Sequence, residues 1–282
     1  MTTTSALQPR SVAGLEVLHR PGTGPTVLAL AGLGSSGWAW EALAEAAPEL
    51  DLYAVSLAGR GGSQHVTTAP GLAGHAASVA AVVTELDLRD LVIVGHSMGA
   101  YLAPVVARAI PDRVRHLVLV DGGIRPELPF FMTPALTRFT FRMQLKKGVG
   151  PFADAAAAMK KARVAPMLAG HPELVPVVAR MLEREFAGPE GARVMRTDVD
   201  RCVADAADTF FGPSTAEALA VLTVPAHVVL AENTKKAGQK PFISDKAVAA
   251  AVAAQPLLNV TRLPGNHVTV VFTPEVVAAV RA

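Results

Sequence analysis

The hydrophobic positions of the chain fall into short, β-branched-rich runs that alternate with longer alanine-rich segments. The runs are bounded by Gly, Pro or Asp and are apolar almost throughout, as is typical of strands covered on both faces of a sheet. They are TVLAL (26–30), DLYAVSL (51–57), LVIVG (91–95), HLVLVDG (116–122), AHVVLAE (226–232) and NVTRLPG (259–265). Segments with helical spacing lie between them, at about 38–47, 72–86, 98–110, 244–254 and 274–281. This alternation predicts an α/β protein with a doubly wound, mostly parallel sheet.

The alternation stops between residues 125 and 213. Several helix-like runs follow one another there, separated by Gly-Pro and His-Pro steps, and no clear strand pattern is present. The same stretch holds eight of the ten Phe residues of the chain. These features predict a helical cap over residues 125–213, inserted into a core formed by residues 1–124 and 214–282. The Phe side chains either fill the core of the cap or give an underlying site an apolar ceiling.

Composition narrows the class of protein. Of 282 residues, 51% are hydrophobic and 18% are charged, and this composition excludes a disordered chain. The net charge is only +2, which argues against a nucleic-acid partner. A single cysteine, Cys202, permits no internal disulfide and favours a reducing compartment. We see no signal peptide, no run long enough to span a membrane and no metal-ligand spacing. We therefore expect a cytoplasmic protein without a metal or cofactor, and we make no prediction about its oligomeric state.

A serine stands between two glycines where a buried strand is predicted to turn into a helix. The segment LVIVGHSMGAYLAPVVA (91–107) carries Gly-His-Ser-Met-Gly at positions 95–99. A sharp strand-to-helix turn strains the backbone of the serine and brings its neighbours too close for side chains, so glycines on both sides are needed. The hydroxyl of Ser97 then projects at the N-terminus of the helix, as a nucleophile requires.

These residues resemble the nucleophile elbow of the α/β-hydrolase superfamily, and the resemblance extends over essentially the whole chain. It implies that Ser97 is the nucleophile and that the backbone N–H of Met98 is one donor of the oxyanion hole. The turn in LALAGLGSSGWAW (28–40) corresponds to the family's second oxyanion loop, which implies that the Leu33 N–H is the other donor. SLAGRGGS (56–63) corresponds to a loop of structural role.

The resemblance also implies a histidine base after the last strand and a carboxylate that orients it. His267, in RLPGNHVTVVF, is the one histidine in that region. Family members most often carry the acid after the penultimate strand, where this chain has Thr234. Some members carry it one strand earlier, where Asp121 follows HLVLV. We therefore favour Asp121 as the acid, with Glu232 as the alternative.

The expected function is hydrolysis of a small-molecule ester or lactone with an apolar, fairly bulky structure, through an acyl-enzyme intermediate. A carbon–carbon bond hydrolase, a perhydrolase or an acyltransferase would use the same triad. A non-catalytic ligand-binding or signalling protein of the same fold is the alternative from another class. A basic cluster in the predicted cap, formed by Arg142, Lys146, Lys147, Lys160, Lys161 and Arg163, is interpreted as a solvated helix face rather than a site for acidic substrates.

Overall fold

The computed structural model describes residues 7–162, 164–233 and 238–282, and over these residues the chain forms one large sheet and one small sheet. The strands of the large sheet are β1 (Gln8–Val12), β2 (Leu15–Arg20), β3 (Thr26–Leu30), β4 (Asp51–Ser56), β5 (Leu91–His96), β6 (Val114–Val120), β9 (Ala226–Asn233) and β10 (Leu258–Asn266). The small sheet consists of β7 (Phe186–Ala187) and β8 (Val194–Met195). All six predicted strands are present, with ends that differ by up to two residues.

The large sheet has the strand order β1-β2-β4-β3-β5-β6-β9-β10. From β4 to β10 neighbouring strands are parallel, whereas β1 pairs antiparallel with β2 and β2 pairs antiparallel with β4. The predicted fold class, a mostly parallel α/β sheet, is confirmed. The order reverses at β3, so that β5 lies beside β3 near the middle of the sheet, where ligands bind in open α/β folds.

Ten α-helices connect or cover the strands in the described part of the chain. They are α1 (Glu41–Ala46), α2 (Gly71–Glu85), α3 (Met98–Ala109), α4 (Pro134–Val149), α5 (Ala155–Lys161), α6 (Leu174–Glu185), α7 (Val199–Phe211), α8 (Ser214–Ala220), α9 (Asp245–Ala254) and α10 (Pro274–Arg281). The predicted helix at 38–47 begins instead as a 3₁₀ turn, Gly37–Trp40, and continues as α1. None of the helices described is both long and apolar enough to cross a membrane.

The helices bury both faces of the sheet. On one face, α2, α3, α8 and α9 pack over the apolar side chains of the strands. On the other face, α1 and α10 cover a second apolar cluster that includes both tryptophans. Strand β5 contributes Ile93 to the first cluster and Val92 and Val94 to the second, which is why its sequence reads as a continuous apolar run.

The segment between β6 and α8 contains α4 to α7, the helices expected between residues 125 and 213. Two small apolar clusters lie within it, one around Phe152 and Phe186 and the other around Met159. The expectation that this stretch contains no strand was wrong, because Phe186 and Ala187 pair antiparallel with Met195 and Val194. A two-residue ladder is too short to produce a hydrophobic alternation. The assignment of residues 125–213 as a cap stays a prediction.

Candidate active site

The turn between β5 and α3 holds Ser97 in a strained backbone conformation. Its φ is 54° and its ψ is −120°, a backbone conformation that residues other than glycine rarely adopt. A Cβ on Gly95 would lie 2.2 Å from the carbonyl oxygen of Gly99, and a Cβ on Gly99 would lie 2.0 Å from that of Leu30. Both glycines are therefore required for the close approach of β3, β5 and α3, as the sequence pattern indicated.

The structure brings together Ser97, His267 and Asp121, the three residues expected to form the triad. The Ser97 hydroxyl lies 3.1 Å from Nε2 of His267, and Nδ1 of His267 lies 2.6 Å from Oδ2 of Asp121. Because Nδ1–H donates to the carboxylate, Nε2 is the free acceptor for the serine proton. The three residues follow β5, β6 and β10, so the carboxyl ends of three parallel strands converge on one point.

Asp121 is a buried carboxylate with both oxygens engaged. Its side chain is 2% exposed; Oδ2 accepts from His267, and Oδ1 accepts from the Ala231 N–H at 3.0 Å. Burial by itself raises the pKa of Asp121, but the hydrogen bond and positive charge of His267 and the Ala231 N–H outweigh it, so the pKa lies below its usual value. Glu232, the alternative acid, is exposed near the end of β9. Thr234 lies outside the described residues.

The turn that carries His267 is held by the preceding Asn266. The Asn266 side chain accepts from the Val268 N–H at 3.0 Å and donates to the backbone carbonyl of Met167 at 2.7 Å. The segment between β6 and α8 thus contacts the turn directly. These bonds restrict the orientation of the imidazole relative to Ser97.

A second histidine, His96, lies against His267. The ring centroids are 4.8 Å apart, and Nε2–H of His96 donates to the backbone carbonyl of His267 at 2.9 Å. Burial, reinforced by the positive charge of His267, lowers the pKa of His96 to about 4. His96 is therefore neutral at physiological pH, where it supports the backbone of His267 without competing for the serine proton.

The two expected oxyanion donors, Leu33 and Met98, line the same cavity as Ser97. Met98 is the first residue of α3, so its N–H has no acceptor within the helix. The loop that contains Leu33 passes close to Ser97, since a Cβ on Gly32 would lie 3.2 Å from the Ser97 Cβ. Each N–H belongs to backbone whose position is restricted by close packing.

The loop over residues 32–36 is tied to the segment between β6 and α8 by contacts that the sequence did not predict. The Glu185 carboxylate accepts from both the N–H and the hydroxyl of Ser36, each at 2.7 Å. The Thr197 hydroxyl donates to the carbonyl of Gly34 at 3.1 Å. Burial raises the pKa of the Glu185 carboxyl to about 7, against the opposing effect of its hydrogen bonds to Ser36. No local motif marks Glu185, since its partner lies 149 residues away.

A cavity of about 290 Å³ opens in front of Ser97, Met98 and His267. Its apolar walls include side chains of Tyr101, Phe141, Met167, Phe210 and Phe242. Of the eight Phe residues between positions 125 and 213, Phe141 and Phe210 line this cavity. Phe152 and Phe186 pack within their own cluster, and Phe130, Phe131 and Phe139 are exposed. Phe242, outside the predicted cap, was not singled out from the sequence.

A fully buried ionic cluster joins the elbow region to α7. Asp205 lies 2.6 Å from the Arg60 guanidinium and 2.9 Å from Nε2 of His75, and all three side chains are inaccessible to solvent. Arg60 also lies 3.8 Å from the Met98 sulfur. Burial raises the pKa of Asp205, but His75 and Arg60 overcome this effect and hold the pKa far below its usual value. The SLAGRGGS loop is thus anchored by Arg60, in line with its expected structural role.

The described residues near this cavity include no group suited to a metal ion. No group of three or more His, Cys, Asp or Glu side chains suited to a metal ion occurs among residues 7–162, 164–233 and 238–282. The cavity around Ser97 is lined by His267, Asp121, two further polar residues (Gln144 and Thr209) and mainly apolar groups, which suit proton transfer and the binding of an apolar substrate.

Comparison with known proteins gives relatives over part of the chain. An uncharacterized protein of Mycobacterium tuberculosis (strain ATCC 25618 / H37Rv) is 32% identical over 119 residues, or 42% of this chain and 35% of that protein. Lipase LipV of the same organism is 33% identical over 114 residues, or 40% of this chain and 43% of LipV. The match thus spans less than half the length of either relative.

Comparison with solved structures extends over the whole fold. E-2-(acetamidomethylene)succinate hydrolase has a TM-score of 0.75 at 23% identity, with 97% of both chains covered, which is a likeness of fold. Residues 27–280 also match the family described as the alpha/beta hydrolase family. Because this match covers most of its length, and the strand order and the serine turn agree with it, the chain belongs to the alpha/beta hydrolase family.

Proposed function

We propose that this protein hydrolyses a carboxylic ester or lactone through an acyl-enzyme intermediate on Ser97. The observation that carries the proposal is the continuous hydrogen-bond chain from the Ser97 hydroxyl through His267 to the buried Asp121 carboxylate. A nucleophile, a base within reach of its proton and a group that orients the base are the elements of this chemistry. The lipase name of one partial relative, LipV, is consistent with an ester substrate.

In the first half of the reaction, Ser97 Oγ attacks the carbonyl carbon while its proton passes to Nε2 of His267. Asp121 stabilises the imidazolium through Nδ1–H. The carbonyl oxygen becomes negative and accepts from the N–H groups of Leu33 and Met98, each worth about 3 kcal/mol in comparable oxyanion holes. His267 then gives its proton to the leaving oxygen, and the bond from that oxygen to the acyl carbon breaks.

The second half mirrors the first, with water in place of the alcohol. His267 removes a proton from the water as the oxygen attacks the acyl carbon, and the same two N–H groups hold the oxyanion. The bond to Ser97 Oγ then breaks, and the serine recovers its proton from His267. The products are a carboxylic acid and, for an ester, an alcohol; a lactone gives a single hydroxy acid.

The cavity bears on the size of the substrate. At about 290 Å³ it lies at the lower end of the usual range for small-molecule sites, and its walls are mainly apolar. These properties support an apolar acyl group of modest size inside the cavity. The bulk expected of the substrate would then lie outside it.

The test is a burst experiment with p-nitrophenyl butanoate. We expect a rapid release of about one equivalent of p-nitrophenol per protein, covalent labelling by a fluorophosphonate, and loss of both in Ser97→Ala. A binding or signalling protein would give neither the burst nor the label, and this result would refute the proposal. A panel of short esters and lactones, with Ser97→Ala as the control, then ranks the two substrate classes by kcat/KM.

A further inference from the structure

A second depression, of about 840 Å³, adjoins the cavity in front of Ser97. The two share part of their walls, namely Leu33, Gln144, Met167 and His267. Ser97, Met98 and Asp121 line the cavity, whereas His267 lines both spaces. We call the larger space the lysine groove, because Lys147 and Lys161 line it.

An ester whose carbonyl lies at Ser97 can place its two halves in the two spaces, because His267 lines both of them. The carbonyl must lie beside Ser97 and Met98, which places the acyl group in the cavity. His267 protonates the leaving oxygen, so the alcohol half departs on the side that His267 faces. A substrate seated in this way would extend its alcohol half into the lysine groove.

The two spaces differ in chemistry. The cavity is mainly apolar, whereas the lysine groove combines apolar side chains with Ser35, Thr197 and the two lysines. No Asp or Glu is among the described residues that line the groove. Its described lining therefore carries the positive charge of two lysines, and the catalytic histidine lines the same space.

The basic cluster recognised in the sequence is divided by the fold. Lys147 and Lys161 line the groove, whereas their sequence neighbours Lys146 and Lys160 do not. Arg142 forms an ion pair with Asp200, and Arg163 lies outside the described residues. The groove is thus lined by one lysine from each of two helices, α4 and α5.

We propose that the lysine groove binds an anionic group, a carboxylate or a phosphate, on the alcohol half of the substrate. The proposal rests on the proposed function, because it takes the scissile carbonyl to lie at Ser97. The substrate class is then an ester with an apolar acyl group and a negatively charged alcohol, and Lys147 and Lys161 determine specificity. They act through charge and hydrogen bonds from their ammonium groups.

The test compares three esters of butanoic acid: 4-(butanoyloxy)benzoate, 4-(butanoyloxy)phenyl phosphate and the neutral methyl 4-(butanoyloxy)benzoate. We expect the ratio of kcat/KM for each anionic ester to that for the neutral ester to fall about tenfold in Lys147→Gln/Lys161→Gln, as for the loss of two partly screened charges. The fall should come mainly from KM and shrink in 0.5 M NaCl. The size of the fall in each anionic arm distinguishes a carboxylate from a phosphate.

Lys146→Gln/Lys160→Gln is the matched control, since it removes the same charge from the same two helices outside the groove. It should keep the ratio within about twofold. An equal fall in both double variants would assign the effect to the general field of the helices and overturn the proposal. So would a ratio that does not change in Lys147→Gln/Lys161→Gln.

A binding measurement separates this proposal from the proposed function. The amide analogue 4-butanamidobenzoate and its methyl ester can be titrated into Ser97→Ala protein, which needs no turnover. Weaker binding of the carboxylate, by about tenfold in Lys147→Gln/Lys161→Gln, would support the groove even if ester hydrolysis fails. If the carboxylate and its methyl ester bind with equal affinity, both with the lysines present and in Lys147→Gln/Lys161→Gln, the groove proposal is overturned.

Discussion

The buried carboxylate of Glu185 provides a quantitative test of how the loop over residues 32–36 is held. The side chain is 4% exposed, and one of its oxygens accepts two hydrogen bonds from Ser36. The other oxygen, Oε2, is buried and has no hydrogen-bond partner among the described residues. Glu185→Gln keeps the shape of the side chain and an oxygen acceptor for Ser36, and it removes the ionisation.

The expected magnitude follows from the pKa. Burial raises the pKa of Glu185 from 4.5 to about 7, so the folded protein favours the protonated form. The corresponding stability is complete below the unfolded-state pKa and is lost as the pH rises through the folded-state pKa. A shift of this size corresponds to about 3 kcal/mol between pH 4.5 and 8. Since glutamine does not titrate, the variant should lack this loss.

The assay is urea unfolding of the wild type and Glu185→Gln at several pH values from 5 to 8, followed by circular dichroism. The free energy of unfolding of the variant minus that of the wild type should rise by about 2 to 3 kcal/mol across this range, because only the wild type loses the contribution of Glu185. Titrations that the two proteins share cancel in this difference. Glu183→Gln, on the same helix but with a side chain 40% exposed, is the control for a surface charge. A difference between Glu185→Gln and wild type that is constant with pH would refute the reasoning.

Three further predictions concern the acid, the buried ions and the serine turn. Asp121→Asn should lower kcat on the order of 10⁴-fold while Glu232→Gln changes it by less than about threefold, measured with a p-nitrophenyl ester; the reverse ranking would assign the acid to Glu232. Asp205→Asn should lower the free energy of unfolding in urea by about 3 to 5 kcal/mol, because Arg60 is left buried without its counter-charge, and a loss below about 1 kcal/mol would contradict this. Gly99→Ala places a Cβ 2.0 Å from a carbonyl oxygen of β3, so both Tm and kcat should fall; wild-type values of both would show that the turn can relax.

The parts of the fold that the sequence predicted are those with a local signal. The central strands are buried on both faces and therefore read as apolar runs, and Gly95 and Gly99 mark the serine turn because a side chain at either position would clash with backbone. The hairpin of β1 and β2 gave no such run. Four of the five residues of β1 are exposed, and β2 has polar, partly buried residues at Glu16 and His19, so neither strand is continuously apolar.

The sequence predicted the three central residues of the candidate site but not the residues that hold them in position. Ser97 and His267 each follow a predicted strand, Asp121 lies near the end of another, and the ends of parallel strands meet at one edge of a sheet. His96, Asn266 and their bonds to the turn of His267 depend on distances between segments, which the sequence does not encode locally.

By itself the sequence determined the α/β class, the serine turn and which residues lie at strand ends, because each depends on steric and hydrophobic properties of neighbouring positions. Only the tertiary structure decided which carboxylate meets His267, since Asp121 lies 146 residues from it in the chain. It also decided that Glu185 holds the loop beside Ser97 and that two of the clustered lysines line the groove. Contacts of this kind depend on how separate elements pack, and packing is a property of the whole folded chain.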